Sequence, residues 1–324
     1  MNKKIVVSLL ATLILASVQL AEAQQAKSDR VGVIHLGGPF STMVDGLRNG
    51  LKELGLQEGK QFVLEVQDLG GDQKKAEEAA RRFEREKVKL IYAVTIPVVT
   101  AAMQGAKDLP IVFSVGSDPV AGGLVQSFAK PGGRLTGIHY LVRDLTGKRL
   151  EILKEILPKL HVVVTFYDPG ERVAREAAQL GREEAKRQGI NFVERHVTSV
   201  EELKTTLGAL KPSDADAYFY TADAKAISQA QLIIDTARSK RLATMFHDQS
   251  LVAKGALASY GQSYHEIGRV SAKYVQRVLT GTHPRDLRVE TVDNVELAIN
   301  LKTAKLLGLT VPPNVLARAN KVIK

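Results

Sequence analysis

Residues 110–137 read PIVFSVGSDPVAGGLVQSFAKPGGRLTG, and no other segment of the chain is as informative about its architecture. Ile111–Val115 is a short apolar run rich in β-branched residues, which predicts a buried strand. The small, polar turn Gly116–Pro119 ends this strand, and we interpret the apolar residues after it as a short helix that precedes a further strand. Such a strand, turn and helix build the binding crevices of open α/β sheets. The turn alone could hold a phosphate, a sugar, an amino acid or nothing.

The N-terminus has the parts of a secretory signal. Lys3 and Lys4 supply a positive start, Ile5–Val18 is almost entirely apolar, and Ala21-Glu22-Ala23 places small residues where signal peptidase cleaves. The apolar run is shorter than the roughly 20 residues that a transmembrane helix needs. We therefore predict that residues 1–23 are a cleaved signal peptide and that the protein acts in the periplasm.

The composition limits the class of protein. None of the 324 residues is cysteine, so the chain has no disulfide and no N-terminal cysteine for a lipid anchor. The net charge is +10, and removal of residues 1–23 leaves +9 because that segment holds two lysines and one glutamate. Basic and acidic residues alternate along segments such as Lys74–Lys87, a pattern that indicates solvated helix faces. We therefore expect no nucleic-acid partner.

The same β-α alternation occurs twice along the chain, which predicts an α/β protein with two Rossmann-like lobes, each built on a parallel sheet. The predicted strands of the two halves are Val31–Leu36, Gln61–Val66, Leu90–Val94 and Ile111–Val115, then His161–Tyr167, Asn191–His196, Ala217–Tyr220, Ala243–Phe246 and Ala256–Tyr260. The halves meet near residues 138–144 and 261–263, and helix Tyr264–Leu279 is expected to pack back on the first half. We place residues 30–140 plus 264–324 in the N-terminal lobe and residues 141–263 in the C-terminal lobe.

The sequence lacks the common signatures of catalysis and cofactor binding. GxSxG, P-loop, GxGxxG and HExxH patterns do not occur, and the seven histidines show no metal-ligand spacing. His247 and Asp248 form an adjacent His–acid pair, which we interpret as ordinary polar residues at a strand end. We therefore predict no catalytic residue, no metal site and no cofactor.

Small polar and acidic residues follow the predicted strands in both halves. Because the carboxyl ends of parallel strands share one edge of a sheet, two facing lobes would bring these residues into one cleft. The alternative is that the same side chains cap the helices that follow. The residues that we assign to ligand binding on this pattern are Ser41, Thr95, Ser117 and Asp118 in the first half and Asp168, Thr221, Asp223 and Asp248 in the second.

Aromatic residues lie at the same strand ends, and aromatic faces bind planar rings, sugar faces or cations. They are Phe40, Tyr140, Tyr167, Tyr220, Phe246 and Tyr260. We assign Phe40, Tyr140 and Tyr260 to the ligand site and interpret Tyr167 and Phe246 as core residues. The acids favour a ligand with an ammonium group or several hydroxyls, while a carboxylate bound at helix N-termini stays open.

Several motifs together resemble one family over the whole mature chain. They are GLRNGLKELG (46–55), PIVF (110–113), DPVAGGLV (118–125), AKPGGRLTG (129–137), GKRLEILKEILP (147–158), SYG (259–261) and INLKTAKLLGLTVPP (299–313). In order and spacing they resemble the ABC-transporter substrate-binding proteins of the tryptophan/tyrosine type. The resemblance implies a type I periplasmic-binding-protein fold, whose two hinged lobes close on a small solute and hand it to an inner-membrane ABC permease. We expect a monomer.

The resemblance also carries over to individual positions. It places Ser117 and Asp118 in the cleft loop of the first lobe, Asp248 in that of the second lobe and Tyr260 at the returning hinge. The family usually has Gly-Thr-Pro where this chain has Thr95-Ile96-Pro97, and often Pro-Asp where it has Thr221-Ala222-Asp223. Ligand identity therefore does not carry over, and an aromatic amino acid is one candidate.

Two other functions remain open at this stage. A periplasmic module that reports ligand occupancy to a membrane receptor would have the same sequence features. A secreted α/β enzyme is the third hypothesis, and it would rely on His247 and Asp248.

Overall fold

The computed structural model describes residues 28–324, so the predicted signal peptide lies outside the described residues. The chain folds into two α/β lobes, each with its own sheet. The strands are β1 (Asp29–His35), β2 (Phe62–Asp68), β3 (Leu90–Val94), β4 (Ile111–Val115), β5 (Leu135–Tyr140), β6 (Val162–Tyr167), β7 (Asn191–His196), β8 (Ala217–Phe219), β9 (Ala243–Phe246), β10 (Ala258–Gly261), β11 (Glu290–Val292), β12 (Glu296–Asn300) and β13 (Lys321–Ile323). The helices are α1 (Ser41–Glu53), α2 (Ala76–Arg85), α3 (Ile96–Gly105), α4 (Thr146–Ile156), α5 (Arg172–Arg187), α6 (Val200–Ala209), α7 (Ala224–Ser228), α8 (Ala230–Ser239), α9 (Gln249–Ala253), α10 (Tyr264–Leu279), α11 (Leu301–Leu306) and α12 (Pro313–Leu316), with 3₁₀ turns at Gly38–Phe40, Gln73–Lys75 and Pro284–Asp286.

The first lobe contains a six-stranded sheet in the order β11-β5-β4-β3-β1-β2. Neighbouring strands are parallel throughout. Every residue of β3, β4 and β5 is buried. Helices that cover both faces of a parallel sheet explain why the residues of these strands are buried without alternation.

The second lobe repeats this plan and extends it. Its seven strands have the order β13-β12-β10-β9-β8-β6-β7. The order β7-β6-β8-β9-β10 matches β2-β1-β3-β4-β5 of the first lobe, which confirms the predicted duplication of one doubly wound unit. Strand β12 runs antiparallel to β10, and β13 is parallel to β12.

The chain crosses between the lobes three times: after β5, between β10 and α10, and between β11 and β12. Helix α10 packs along α1 in the first lobe, as expected. The sequence assigns residues 264–324 to the first lobe, but β12 and β13 lie in the second sheet because β12 pairs with β10. We therefore propose that the first lobe ends near Val292 and that residues 296–323 belong to the second.

The prediction of a short helix after Gly123 is wrong. Residues 116–134 connect β4 to β5 as a series of turns without a helix. Gly123, Gly132 and Gly133 have φ of 71°, 71° and 65°, a left-handed conformation that interrupts helical hydrogen bonding. No helix within residues 28–324 is long and apolar enough to cross a membrane.

Candidate functional site

A cavity lies between the lobes, where the carboxyl ends of the strands in both sheets face each other. Its walls come from the ends of β1, β3, β4 and β5 in the first lobe, from the segments after β6 and β8 in the second, and from the start of α10. In both lobes the strand order reverses here, the usual place for ligands in doubly wound sheets. The cavity volume is about 40 Å³. The lining residues are Phe40, Thr95, Ile96, Pro97, Gly116, Ser117, Tyr140, Val142, Glu171, Val173, Ala174, Tyr220, Ala222, Ala224 and Tyr264.

The first lobe contributes two buried hydroxyl groups to this cavity. Thr95 follows β3 and Ser117 follows β4, and neither side-chain oxygen has a hydrogen-bond partner among residues 28–324. Helix α3 begins directly after Thr95, and the first N–H groups of a helix have no acceptor within it. Hydroxyl donors beside the positive end of a helix suit an anionic group such as a carboxylate.

The backbone is strained at corresponding positions in the two lobes. Thr95 has φ 78° in the turn after β3, and Ala222 has φ 55° in the turn after β8, the third strand of each duplicated unit. Positive φ is costly for residues with a Cβ, and such strain concentrates at ligand sites. Both residues line the cavity. The strain therefore marks the two cleft turns as a candidate site independently of their side chains.

Glu171 is the charged residue in the described cavity wall. It precedes α5 in the second lobe, and its Oε1 accepts a hydrogen bond of 2.6 Å from Gln73 Nε2 of the first lobe. The carboxylate thus lies at the mouth of the cavity, where both lobes meet. It is the group in this wall that can pair with an ammonium.

Four aromatic rings form the remaining wall and come from both lobes. Phe40 stacks on Tyr264 with a centroid distance of 5.2 Å, and Tyr140 meets Tyr264 edge-on at 5.8 Å. Tyr220 contributes the ring from the second lobe. An apolar wall opposite polar groups is typical of sites for amphipathic small molecules.

Behind this wall lies a buried polar layer. His247 is within 4.7 Å of both Tyr220 and Tyr264 between ring centroids, and neither ring nitrogen has a partner in the described chain. Burial, and then the charge of Arg149, lower the pKa of His247 well below its usual value. Arg149 is fully buried and donates to Val142 O and Thr146 Oγ1 at 2.8 Å. Burial lowers the pKa of Arg149 to about 10.

Each of the four acids predicted for the ligand site accepts a hydrogen bond from a backbone N–H group two or three residues further along the chain. Asp118 accepts from Val120 N, Asp168 from Gly170 N, Asp223 from Ala226 N and Asp248 from Ser250 N, all at 2.6–2.9 Å. Asp168 also pairs with Lys225 Nζ, and the second oxygens of Asp223 and Asp248 accept from Asp168 N and Tyr264 N. Burial raises the pKa of Asp223 to about 6 and raises the pKa of Asp248 above its usual range.

The structure brings part of the predicted set together in the cavity wall. Phe40, Thr95, Ser117 and Tyr140 line it, whereas Ser41, Asp118, Asp168, Thr221, Asp223, Asp248 and Tyr260 are not lining residues. Ser41 Oγ donates to Gly38 O, Thr221 Oγ1 pairs with Thr165 Oγ1, and Tyr260 packs with apolar residues of the second lobe. Contact of these seven residues with a solute stays a prediction.

Three charged or aromatic lining residues, Tyr220, Tyr264 and Glu171, are not among those that the sequence assigns to the site. Tyr220 lies at a strand end, so the aromatic pattern that selected Tyr140 also applied to it. Tyr264 begins the helix of the returning crossover, and Ser263 caps that helix through Glu266 N. The pattern of polar residues at strand ends does not select Glu171, because this residue lies just beyond the Asp168-Pro169-Gly170 turn. Residues 28–324 contain no cluster of three or more His, Asp or Glu that would hold a metal ion.

Known proteins match this chain over most of its length. The family described as ABC transporter substrate binding protein matches residues 31–323. A tyrosine-binding protein of Clostridioides difficile is 28% identical over 265 residues, which are 82% of this chain and 76% of the relative. A conserved domain protein of Vibrio cholerae is 31% identical, with a TM-score of 0.81 over 91% of this chain and 100% of its own. The ABC domain from Streptococcus pneumonia in complex with L-Trp is 24% identical, with a TM-score of 0.80 over 92% of this chain and 100% of its own.

Proposed function

The chain belongs to the family of ABC transporter substrate-binding proteins, and we propose that it binds an aromatic amino acid between its lobes and delivers it to an ABC permease. In keeping with the family description, we propose that the chain binds a solute and catalyses no reaction. We also propose a periplasmic location, in keeping with the predicted signal peptide. L-Tyrosine is the first candidate solute, because one relative is a tyrosine-binding protein and a structural neighbour holds L-Trp.

The observation that carries the proposal is the pair of buried hydroxyls at Thr95 and Ser117, for which residues 28–324 supply no hydrogen-bond partner. A buried polar group without a partner is costly, and a bound carboxylate would accept from both hydroxyls and from the N-terminus of α3. The ammonium of the same solute would pair with Glu171. Its ring would pack in the aromatic wall of Phe40, Tyr140, Tyr220 and Tyr264.

Isothermal titration calorimetry of the mature protein with L-tyrosine tests the binding step. We expect one site per chain, and weaker binding of tyramine, which lacks the carboxylate. Ser117→Ala should weaken L-tyrosine about 10- to 100-fold, since a hydrogen bond to a charged group contributes about 1.5–3 kcal/mol. Ser239→Ala, on the exposed end of α8, is the matched control and should leave the affinity unchanged.

Two results would count against the proposal. If L-tyrosine, L-tryptophan and L-phenylalanine all fail to bind, the aromatic amino acid is wrong. If they bind but Ser117→Ala and Ser239→Ala behave alike, the proposed carboxylate position is wrong. Delivery is tested separately by uptake of labelled L-tyrosine into cells with and without the gene. Equal uptake would favour a sensing role over transport.

A further inference from the structure

We propose that the closed state is set by direct contacts between the lobes, through a closure seam formed by Gly38, Gly71 and Gln73 of the first lobe against Ser228 and Glu171 of the second. The inference rests on the proposed function, because the seam would control how tightly a solute is held. None of its three first-lobe members lines the cavity. The seam therefore acts on affinity without being part of the first-lobe wall that faces the solute.

Gly38 brings the two backbones into contact. It follows β1 with φ 58°, and a Cβ at this position would lie 2.5 Å from Ser228 O and 2.9 Å from Ile227 O. Real Cβ atoms do not approach other atoms this closely. Because the opposing atoms belong to the backbone of α7, no side-chain rotation can relieve the overlap. Any side chain at position 38 therefore separates the lobes.

Gly71 repeats this arrangement on the same part of the second lobe. A Cβ on Gly71 would lie 2.7 Å from Ser228 Oγ and 2.8 Å from Val200 Cγ2. Gly71 comes after β2 and Gly38 after β1, so two neighbouring strand ends of the first sheet meet one turn of the second lobe. Two independent close approaches to Ser228 make this turn the centre of the seam.

A hydrogen bond extends the seam beyond the glycines. Gln73 Nε2 donates to Glu171 Oε1 at 2.6 Å. The bond is charge-assisted, which makes it stronger than a bond between neutral groups. Glu171 also lines the cavity, so this bond spans the cavity mouth.

The contacts have a direct consequence for affinity. A cavity of about 40 Å³ has room for a few water molecules but not for an amino acid, so we infer that the lobes separate to admit the solute. Seam contacts exist only after the lobes have closed again. The apparent dissociation constant is the intrinsic one divided by the fraction of protein that can close. Blocking the seam should therefore weaken binding, chiefly through faster dissociation.

Gly38→Ala and Gly70→Ala form a matched pair for this test. Both glycines have φ 58°, so both variants carry the same backbone strain, but a Cβ on Gly70 meets no atom within 4 Å. With L-tyrosine as the probe, we expect Gly38→Ala to raise the dissociation constant at least 10-fold, and small-angle scattering to show no compaction at saturation. Gly70→Ala should stay within about threefold of the unchanged protein and compact normally. Equal affinity and equal compaction in the two variants would overturn the seam.

A second test needs no solute, so it separates failure of the seam from failure of the proposed function. The chain has no cysteine, and a Cβ on Gly71 lies close enough to the Ser228 side chain for a disulfide. Mild oxidation of a Gly71→Cys/Ser228→Cys variant should give a cross-linked, compact monomer on a non-reducing gel and in scattering. Gly70→Cys/Ser228→Cys is the control and should cross-link at least 10-fold more slowly. Equal rates, or no cross-link in either variant, would overturn the seam whatever the solute proves to be.

Discussion

His247 is buried between two tyrosines, and neither of its ring nitrogens has a hydrogen-bond partner within the described chain. A protonated imidazole there would lose its hydration and lie near the buried cation of Arg149, which is why the pKa of His247 is well below its usual value. The folded protein therefore holds this histidine neutral. The unfolded chain, with an ordinary histidine pKa of about 6.5, binds a proton as the pH falls.

This difference predicts a pH dependence of stability. Below about pH 6.5 the unfolded state binds more protons at His247 than the folded state does. As the pH is lowered, this site therefore decreases the free energy of unfolding by up to about 1.4 kcal/mol per pH unit. His247→Phe keeps an aromatic ring and removes the titration. Between pH 6.5 and 5, urea unfolding should therefore give a flatter pH dependence for the variant than for the unchanged protein.

Asp223 acts in the opposite direction, because burial raises its pKa to about 6 and the folded state gains its proton first. The comparison of the two proteins cancels this contribution, since both contain Asp223. Parallel stability curves for the two proteins would show that His247 takes up a proton in the folded state without cost.

Two residues show that the sequence does not predict which strand-end side chains face the cavity. Ser117 and Asp223 both follow strands in the sequence, and the sequence pattern assigns both to the ligand site. In the structure, Ser117 Oγ has no partner among the described residues, whereas Asp223 accepts from Ala226 N and Asp168 N. The direction of a short side chain at a strand end depends on the local turn and on the neighbouring loop. Hydrophobic periodicity does not report on the local turn or on the neighbouring loop.

Helices α1 and α10 are in unusually close contact, and glycines make this possible. A Cβ on Gly46 of α1 would overlap the backbone oxygen of His265, and one on Gly268 of α10 would overlap that of Met43. The two helices come from distant parts of the chain, so their contact fixes the returning crossover on the first lobe. Small residues at the crossing are therefore required for the close packing of α10 on α1.

Gly46→Ala should destabilise the protein for this reason. The methyl group overlaps the backbone of α10, and overpacking typically costs about 1–3 kcal/mol or more. Gly208→Ala in α6 is the matched control, because a Cβ there meets nothing within 4 Å. The control should stabilise by about 0.5–1 kcal/mol, since alanine favours a helix over glycine. Guanidinium unfolding of both variants measures the difference, and a stabilising effect of Gly46→Ala would contradict the packing.

At the scale of helices and strands, the sequence predicts most of the structure. The predicted ends of the nine strands in the two repeated units agree with the structure to within two residues. Alternating apolar runs and glycine stops define these strands locally. The segment after Gly123 differs from the prediction because Leu124 and Val125 are buried in a loop, and an apolar run this short does not distinguish a loop from a helix.

The duplication of the unit, and with it the fold class, followed from the sequence alone, but the allocation of the C-terminal tail did not. Strand β12 joins the second sheet through antiparallel pairing with β10, although α10 and β11 immediately before it belong to the first lobe. Which sheet an edge strand joins is decided by tertiary pairing and by the third crossover. Residues 296–300 read as a strand in either case.

The position of the C-terminal tail, residues 296–323, leads to a prediction about the whole molecule. Ile299 is fully buried in β12, opposite Ala258 of β10, so Ile299→Ala should cost about 2–5 kcal/mol through the lost apolar contact and the cavity left behind. The damage should be confined to the second lobe: hydrogen exchange should rise in β10 and β9, while β3 in the first sheet keeps its protection. Val322→Ala on the half-buried edge strand β13 is the control and should cost about 1 kcal/mol or less. Faster exchange in β3 than in β10 after Ile299→Ala would instead return the tail to the first lobe.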